Sequence, residues 1–139
     1  MYAARDDLER AFSADMVARL SIRPEDEDGG EAVTRALAYA GGLIDAALSV
    51  RFTLPLPVVP ELLRDIACDI AMARLASAES ATLTDDLKAR DKQARADLKS
   101  IAEGGMNLGL PSVSEGARPS PIVASTGGKL FTRDRMRGL

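Results

Sequence analysis

The sequence of 139 residues contains no histidine and no tryptophan, and it has a single cysteine, Cys68. Without histidine the chain lacks the side chain that most often acts as a general base and most often binds metal ions. One cysteine permits neither an internal disulfide nor a CxxC metal site. Aromatic residues make up only 4% of the chain. Composition therefore argues against an enzyme and predicts no catalytic residues, no bound metal and no cofactor.

Long apolar stretches are also missing from the sequence. No run approaches the roughly 20 residues that a membrane-spanning helix needs. The first residues lack the cationic and then apolar pattern of a signal peptide. We therefore expect a protein of a reducing cytoplasm that makes no contact with a membrane.

The net charge of −3 is unevenly distributed along the chain. Residues 1–109 carry 13 Lys and Arg against 19 Asp and Glu, whereas residues 110–139 carry 5 against 2. Because affinity for duplex DNA comes mainly from neutralising phosphates, the acidic part argues against DNA binding through that region. The basic C-terminal part suits either nucleic acid or an acidic protein surface, such as the body of a neighbouring copy.

Apolar side chains recur at helical spacing through most of the first 109 residues. The predicted elements are one bent helix or two short ones over about 6–20, and longer helices over about 31–50, 61–75 and 84–103. Ser13 and Asp15 are the candidate caps inside the first element, and Thr82 and Thr84 are candidate caps of the last. We predict an all-α fold: a small bundle of four main helices over residues 1–109, followed by an irregular, partly extended C-terminal tail over residues 110–139.

An apolar connector, residues 51–60, separates the second and third long elements. Its three prolines within six residues exclude a helix interior and favour extended backbone. An extended segment that keeps its apolar side chains normally packs against another surface. We therefore predict that Arg51, Phe52, Leu54 and Leu56 contribute to an interface with another subunit or partner.

The glycine pair Gly41-Gly42 lies inside the apolar second helix. Each glycine costs about 1 kcal/mol of helix stability relative to alanine. Such a pair predicts a close crossing with another helix or a kink.

The acidic segment over residues 25–31 invites comparison with a calcium-binding loop. In the best alignment to an EF-hand, Asp26 and Asp28 stand at ligand positions 3 and 5, but a proline and Arg35 stand at positions 1 and 12. Because two essential ligands are missing, a solvated turn is favoured, with Asp28 or Gly30 as the cap of the second helix. A calcium-responsive interaction module stays open as an alternative function, which calorimetry with calcium would test.

The last nine residues combine apolar anchors with basic side chains. The residues in question are Phe131, Arg133, Arg135, Met136 and Arg137. This composition suits docking onto an acidic partner surface, including a second copy of the chain, although a solubilising tail is the alternative. Residues 122–123 and 130–132 are candidates for short strands.

Several of these segments resemble one family. The resemblance rests on several segments along the chain, and none of them carries it alone. They are the opening Met1-Tyr2-Ala3 with Asp7-Leu8 and Phe12, the acidic glycine-containing loop before the second helix, Ile44-Asp45 with Leu48, the connector Arg51-Phe-Thr-Leu-Pro-Leu56, Pro60 with residues 62–71 and Arg74-Leu75, and the closing residues 131–139. Together they resemble a family of Mu-like prophage virion proteins from the head–tail morphogenesis cluster. The resemblance covers nearly the whole chain.

This resemblance implies a structural head–tail connector, or adaptor, in the neck of a tailed phage. Its expected assembly is a ring of twelve copies, made in the bacterial host cytoplasm, between the portal protein and a tail-side neck or tail-terminator protein. DNA is expected to pass through the lumen without specific binding. Another tail-completion or tail-joining protein is the alternative within this class. In isolation we expect a monomer or weak oligomer, with residues 111–139 ordering only on assembly.

Overall fold

The computed structural model describes residues 1–78 and 83–112, and within these ranges the chain forms five helices and no strand. The helices are α1 Arg5–Phe12, α2 Ala14–Ser21, α3 Gly30–Leu48, α4 Glu61–Ala78 and α5 Asp85–Glu103. The predicted all-α bundle is confirmed, and the first predicted element is realised as two short helices. The predicted strands at 122–123 and 130–132, and all of the tail beyond Ser112, lie outside the described residues.

Helix α4 forms the centre of the bundle, because it packs against each of the other four described helices. More than half of its 18 residues are buried, and Ile70 and Met72 are completely inaccessible to solvent. A helix that is apolar over most of its circumference is stable only when surrounded by others. The central position of α4 follows directly from this pattern.

Ser13 divides the first element into α1 and α2. Its backbone adopts φ 85° and its N–H donates to Glu9 O at 2.8 Å, which ends α1. Its hydroxyl accepts the N–H of Met16 at 3.4 Å, which begins α2. The predicted role of Ser13 as a helix cap is therefore confirmed.

The start of α3 differs from the sequence prediction. The capping residue is Gly29, in the left-handed region at φ 65°, rather than Asp28 or Gly30. The carboxylate that helps to cap the helix belongs to Asp26, whose Oδ2 accepts the N–H of Ala32 at 3.0 Å. The prediction was wrong because the turn folds back, so that a side chain six residues away reaches the helix end.

The other two long helices begin close to where the sequence predicts, and α4 continues to Ala78, three residues beyond its predicted end. Helix α4 begins at Glu61, immediately after Pro60. Helix α5 is capped by Thr84, whose hydroxyl accepts the N–H of Leu87 at 3.3 Å, and it ends at Gly104 in the left-handed conformation. Thr82, the second cap candidate, lies outside the described residues.

The glycine pair in α3 does not mark a helix crossing. Helix α3 continues through both residues from Gly30 to Leu48. A Cβ atom built at Gly41 would meet only the Tyr2 ring, at 3.8 Å, and one built at Gly42 would meet nothing within 4 Å. The expectation of a close crossing is therefore wrong, and α3 exposes a strip without side chains at this point.

Cys68 is buried in α4, at 2% exposure. Burial, reinforced by the nearby carboxylates of Asp7 and Asp65, raises the pKa of the thiol to about 12. Because thiolate is the reactive form, we expect the native thiol to resist disulfide reagents at about pH 8. The check is the rate of thiol release from such a reagent in buffer and in denaturant. Comparable rates in both would contradict the burial.

The same shift predicts a pH dependence of stability. The folded pKa of Cys68 lies above the unfolded one, so the folded state favours the protonated thiol. Its contribution is complete below the unfolded pKa of about 9 and is lost as pH rises towards the folded value. The measurement is the free energy of unfolding across alkaline pH, with Cys68→Ala as the variant that should lose this component.

Candidate interaction groove

The connector between α3 and α4 is anchored to the body by its first two residues. Phe52 is buried in the core at 4% exposure. The guanidinium of Arg51 lies 5.6 Å from the centre of the Phe52 ring, and its Nη1 donates to Ile101 O at 3.2 Å near the end of α5. Both residues therefore hold the connector to its own protomer, and their predicted role between subunits stays a prediction.

Loss of this anchor should be measurable. We expect Arg51→Ala to lower the free energy of unfolding by about 1–2 kcal/mol, because a charged hydrogen bond to a helix-terminal carbonyl disappears. The measurement is urea-induced unfolding of purified protein. The matched control is Arg35→Ala, since that side chain is 72% exposed and contacts Glu31 at 3.6 Å on the helix surface. Equal losses in both variants would contradict a specific anchor.

Beyond Phe52 the connector forms one wall of an apolar groove of about 730 Å³. The second wall is α3 and the third is the N-terminal segment. The lining residues of this connector groove are Met1, Tyr2, Leu37, Ala38, Gly41, Gly42, Asp45, Leu54, Pro55, Leu56 and Val59. Two of the four predicted connector residues, Leu54 and Leu56, are therefore brought together with a face of α3 and with the chain start.

Glycines form part of the floor of the connector groove, and a polar pair spans it. Gly42 is exposed and Gly41 lies beside the Tyr2 ring, and the absence of side chains at both positions leaves space in the groove. The Tyr2 hydroxyl donates a hydrogen bond to Asp45 Oδ1 and ties the N-terminal segment to α3. Burial, with this hydrogen bond and the nearby carboxylate charge, raises the pKa of Tyr2. The phenol therefore stays protonated and donates to Asp45 throughout the ordinary pH range.

A smaller hollow of about 280 Å³ lies on the other side of the connector. Its lining residues are Phe52, Thr53, Leu56, Pro57, Leu110, Pro111 and Ser112. Leu56 lines both spaces, so the hollow and the connector groove are adjacent. After α5 the chain packs Leu108 and Leu110 against the core. The described chain therefore ends, at Ser112, beside the connector.

A third cavity, of about 300 Å³, contains a group of arginines. Its lining residues include Arg23, Arg35, Arg74 and Tyr39. The Arg74 guanidinium lies 4.6 Å from the centre of the Tyr39 ring, and Arg35 contacts Glu31 at 3.6 Å. These interactions within the protomer account for the positions of both side chains. This cavity is a less favourable candidate than the connector groove.

In the acidic segment over 25–31, residues 25–29 form the turn before α3, and Gly30 and Glu31 begin the helix. Besides the Asp26 contact to α3, the backbone of Asp28 accepts a hydrogen bond from Arg5 Nη1 at 2.9 Å. Among the residues that the structure describes, no group of three or more suitable side chains could hold a metal ion. The local contacts thus assign this segment a capping role.

The remaining predicted interface residues are Phe131, Arg133, Arg135, Met136 and Arg137, and all of them lie outside the described residues. Sequence reasoning missed the contributions of Tyr2 and Asp45 to the groove. The available signal was the glycine pair, which interrupts an otherwise apolar helix face nine residues before the apolar connector begins. In residues 1–78 and 83–112 no helix is long and apolar enough to span a membrane.

Comparison with known proteins gives a consistent result over this whole region. A family model described as "Bacteriophage Mu, Gp36" matches residues 2–124. The chain is 28% identical over 140 residues to the Mu-like prophage FluMu protein gp36 of Haemophilus influenzae, covering 99% of this chain and 97% of that protein. It is 34% identical over 116 residues to gene product J of Escherichia phage Mu, covering 80% and 78%. The family match includes all five helices and the connector.

Proposed function

The chain belongs to the family described as Bacteriophage Mu, Gp36, and on that premise we propose that it is a structural head–tail connector of a Mu-like phage. The protein acts by assembly rather than by catalysis. It is located in the neck of the virion, after assembly in the bacterial host cytoplasm. The portal protein contacts one side of the assembly, and a tail-side neck or tail-terminator protein contacts the other.

The apolar connector groove is the observation that carries this proposal. The helices bury their apolar faces around α4, yet the connector keeps Leu54, Leu56 and Val59 beside an open space of about 730 Å³. Val58 in the same segment is 65% exposed, and Val50, immediately before the segment, is 71% exposed. Contiguous exposed apolar surface of this kind is typical of a protein–protein interaction site.

A ring explains why such a surface is present on a small bundle. Identical copies that contact one another head to tail use two different faces, and a suitable rotation closes them into a ring. Twelve copies would match the symmetry of a portal. In this assembly the connector of one subunit, with Leu54 and Leu56, contacts a different surface of its neighbour.

The charge distribution supports a lumen through which DNA moves freely. Residues 1–109 carry 19 acidic against 13 basic side chains, and an acidic surface repels phosphate. We propose that DNA passes without specific binding. Tight, salt-sensitive binding of duplex DNA by the assembled ring would contradict this part of the proposal.

Imaging of virions provides the direct test of the connector role. We expect mass spectrometry to detect the chain in purified particles, and electron microscopy to show a ring of density at the neck that a tagged copy labels. A phage lacking the gene should accumulate separate heads and tails. Absence of the chain from virions, or a position at the distal end of the tail, would overturn the proposal.

Two alternatives are separated by related measurements. A tail-completion protein would remain on free tails rather than on heads when joining is blocked. A calcium-responsive module would release or absorb heat on calcium addition and raise its melting temperature. On calcium addition we expect no heat and no shift of the melting temperature, because the Asp26 carboxylate already accepts the Ala32 N–H and so caps α3.

A further inference from the structure

We infer that the connector groove binds the C-terminal segment of a second copy of this chain, with Phe131 and Met136 as its apolar anchors. The inference rests on the proposed ring and specifies one contact within it. It predicts that each subunit completes the groove of its neighbour.

The first argument is where the described chain ends. Ser112 lies in the hollow that shares Leu56 with the connector groove. Between Ser112 and Phe131 lie 18 residues, which reach up to about 60 Å when extended at ~3.3 Å each. The groove of the same protomer is adjacent, so only a small part of this length would be needed to reach it. The full length of the spacer is long enough to reach the groove of a neighbouring subunit.

The second argument is chemical complementarity between the groove and the segment. The groove offers the aliphatic side chains of Leu37, Leu54 and Val59, which suit an aromatic ring or a methionine. Residues 131–139 carry three arginines and one aspartate, whereas residues 1–109 carry a net charge of −6. Opposite charges on the two parts favour their encounter and orient the segment.

The third argument is that the floor of the connector groove is open at Gly42. A Cβ atom placed on Gly42 would have no neighbour within 4 Å, so a bound segment can approach the α3 backbone there. The third cavity offers no comparable site, because Arg35 and Arg74 already contact Glu31 and Tyr39. The connector groove is thus the described apolar surface best suited to a segment with apolar anchors.

Cross-linking of the full-length chain tests the inference. One variant carries Gly42→Cys and the other, labelled with ¹⁵N, carries Met136→Cys. We expect oxidation of their mixture to give a mixed dimer, identified by mass, in at least tenfold greater yield than a control mixture of Ala46→Cys with Met136→Cys. Ala46 is an exposed α3 residue outside the groove. Buried Cys68, present in both mixtures, is not expected to compete.

A chain that carries both Gly42→Cys and Met136→Cys identifies the occupant. Predominant cross-linking within single chains would show that the segment binds its own groove and would overturn the inference. Absence of the mixed dimer, both in concentrated protein and in assembled particles, would also overturn it. In particles, cross-linking of Gly42→Cys to a different protein would have the same consequence.

A variant in which a large side chain fills the groove tests the inference separately from the proposed connector role. The cysteine pair in this experiment is Leu54→Cys on one chain and Met136→Cys on the other. We expect Gly42→Trp in the Leu54→Cys chain to lower the mixed-dimer yield at least tenfold, whereas Ala46→Trp in that chain leaves the yield unchanged. An unchanged yield with Gly42→Trp would contradict docking in the groove while leaving the neck position intact. A mixed dimer from a protein that is absent from the neck would contradict the connector role alone.

Discussion

Replacement of Gly29 by alanine is expected to destabilise the protein by about 2–4 kcal/mol, since it combines backbone strain with a steric clash. Gly29 caps α3 at φ 65°, a conformation that residues with a Cβ atom rarely adopt. An alanine Cβ would lie 2.7 Å from Ser21 Cβ and 2.9 Å from the Ser21 carbonyl carbon, and closer still to the hydroxyl. Ser21 is completely buried, so it cannot move aside cheaply.

The adjacent glycine supplies the matched control for this prediction. A Cβ atom at Gly30 would meet nothing within 4 Å, and the residue begins α3. We expect Gly30→Ala to be neutral or to stabilise the protein by up to about 1 kcal/mol, through higher helix propensity. Urea-induced unfolding of both variants is the measurement. Equal destabilisation by the two substitutions would show that the turn does not depend on the conformation of Gly29.

Truncation of Ile70 to alanine is expected to cost about 3–4 kcal/mol, because it removes three carbon atoms from the centre of the core and leaves a cavity. Ile70 is completely inaccessible and lies in α4, the helix that contacts all four others. Little collapse can occur around a position that is enclosed on every side. The effect should therefore exceed the lower end of the range of about 2–5 kcal/mol for such substitutions.

Chemical denaturation monitored by circular dichroism measures the Ile70→Ala effect. An unchanged dependence of the unfolding free energy on denaturant would show that the variant retains the native fold. Val58→Ala is the control, because Val58 is 65% exposed in the connector and should change stability by less than about 0.5 kcal/mol. A loss below about 1 kcal/mol for Ile70→Ala would contradict a densely packed centre around α4.

The helical elements were predictable from the sequence because their signals are local. Apolar spacing around α4, the hydroxyl of Thr84 and the glycine at position 104 each act within a few residues of the helix that they define. The division at Ser13 was one of two alternatives that the sequence left open. A single residue with positive φ, whose hydroxyl accepts the Met16 N–H, selects the two short helices.

The candidate site was only partly predictable. Leu54 and Leu56 could be selected because prolines hold an apolar segment in an extended conformation. Their neighbours in the groove could not, since Tyr2 and Asp45 are 43 residues apart and meet through one hydrogen bond. The interface role of Arg51 stays a prediction, and the contact of its guanidinium with the carbonyl of Ile101 on α5 could not be read from the sequence. Such contacts depend on how the helices pack.

By itself, the sequence determined the all-α class, the three longer helical segments and the acidic first part, because composition and periodicity act along the chain. Only the tertiary structure decided that the glycine pair of α3 opens a groove instead of admitting a helix. It also decided that Asp26 caps α3 from six residues away. These outcomes depend on which surfaces meet when apolar faces close around α4, and that is a property of the packed bundle rather than of any one segment.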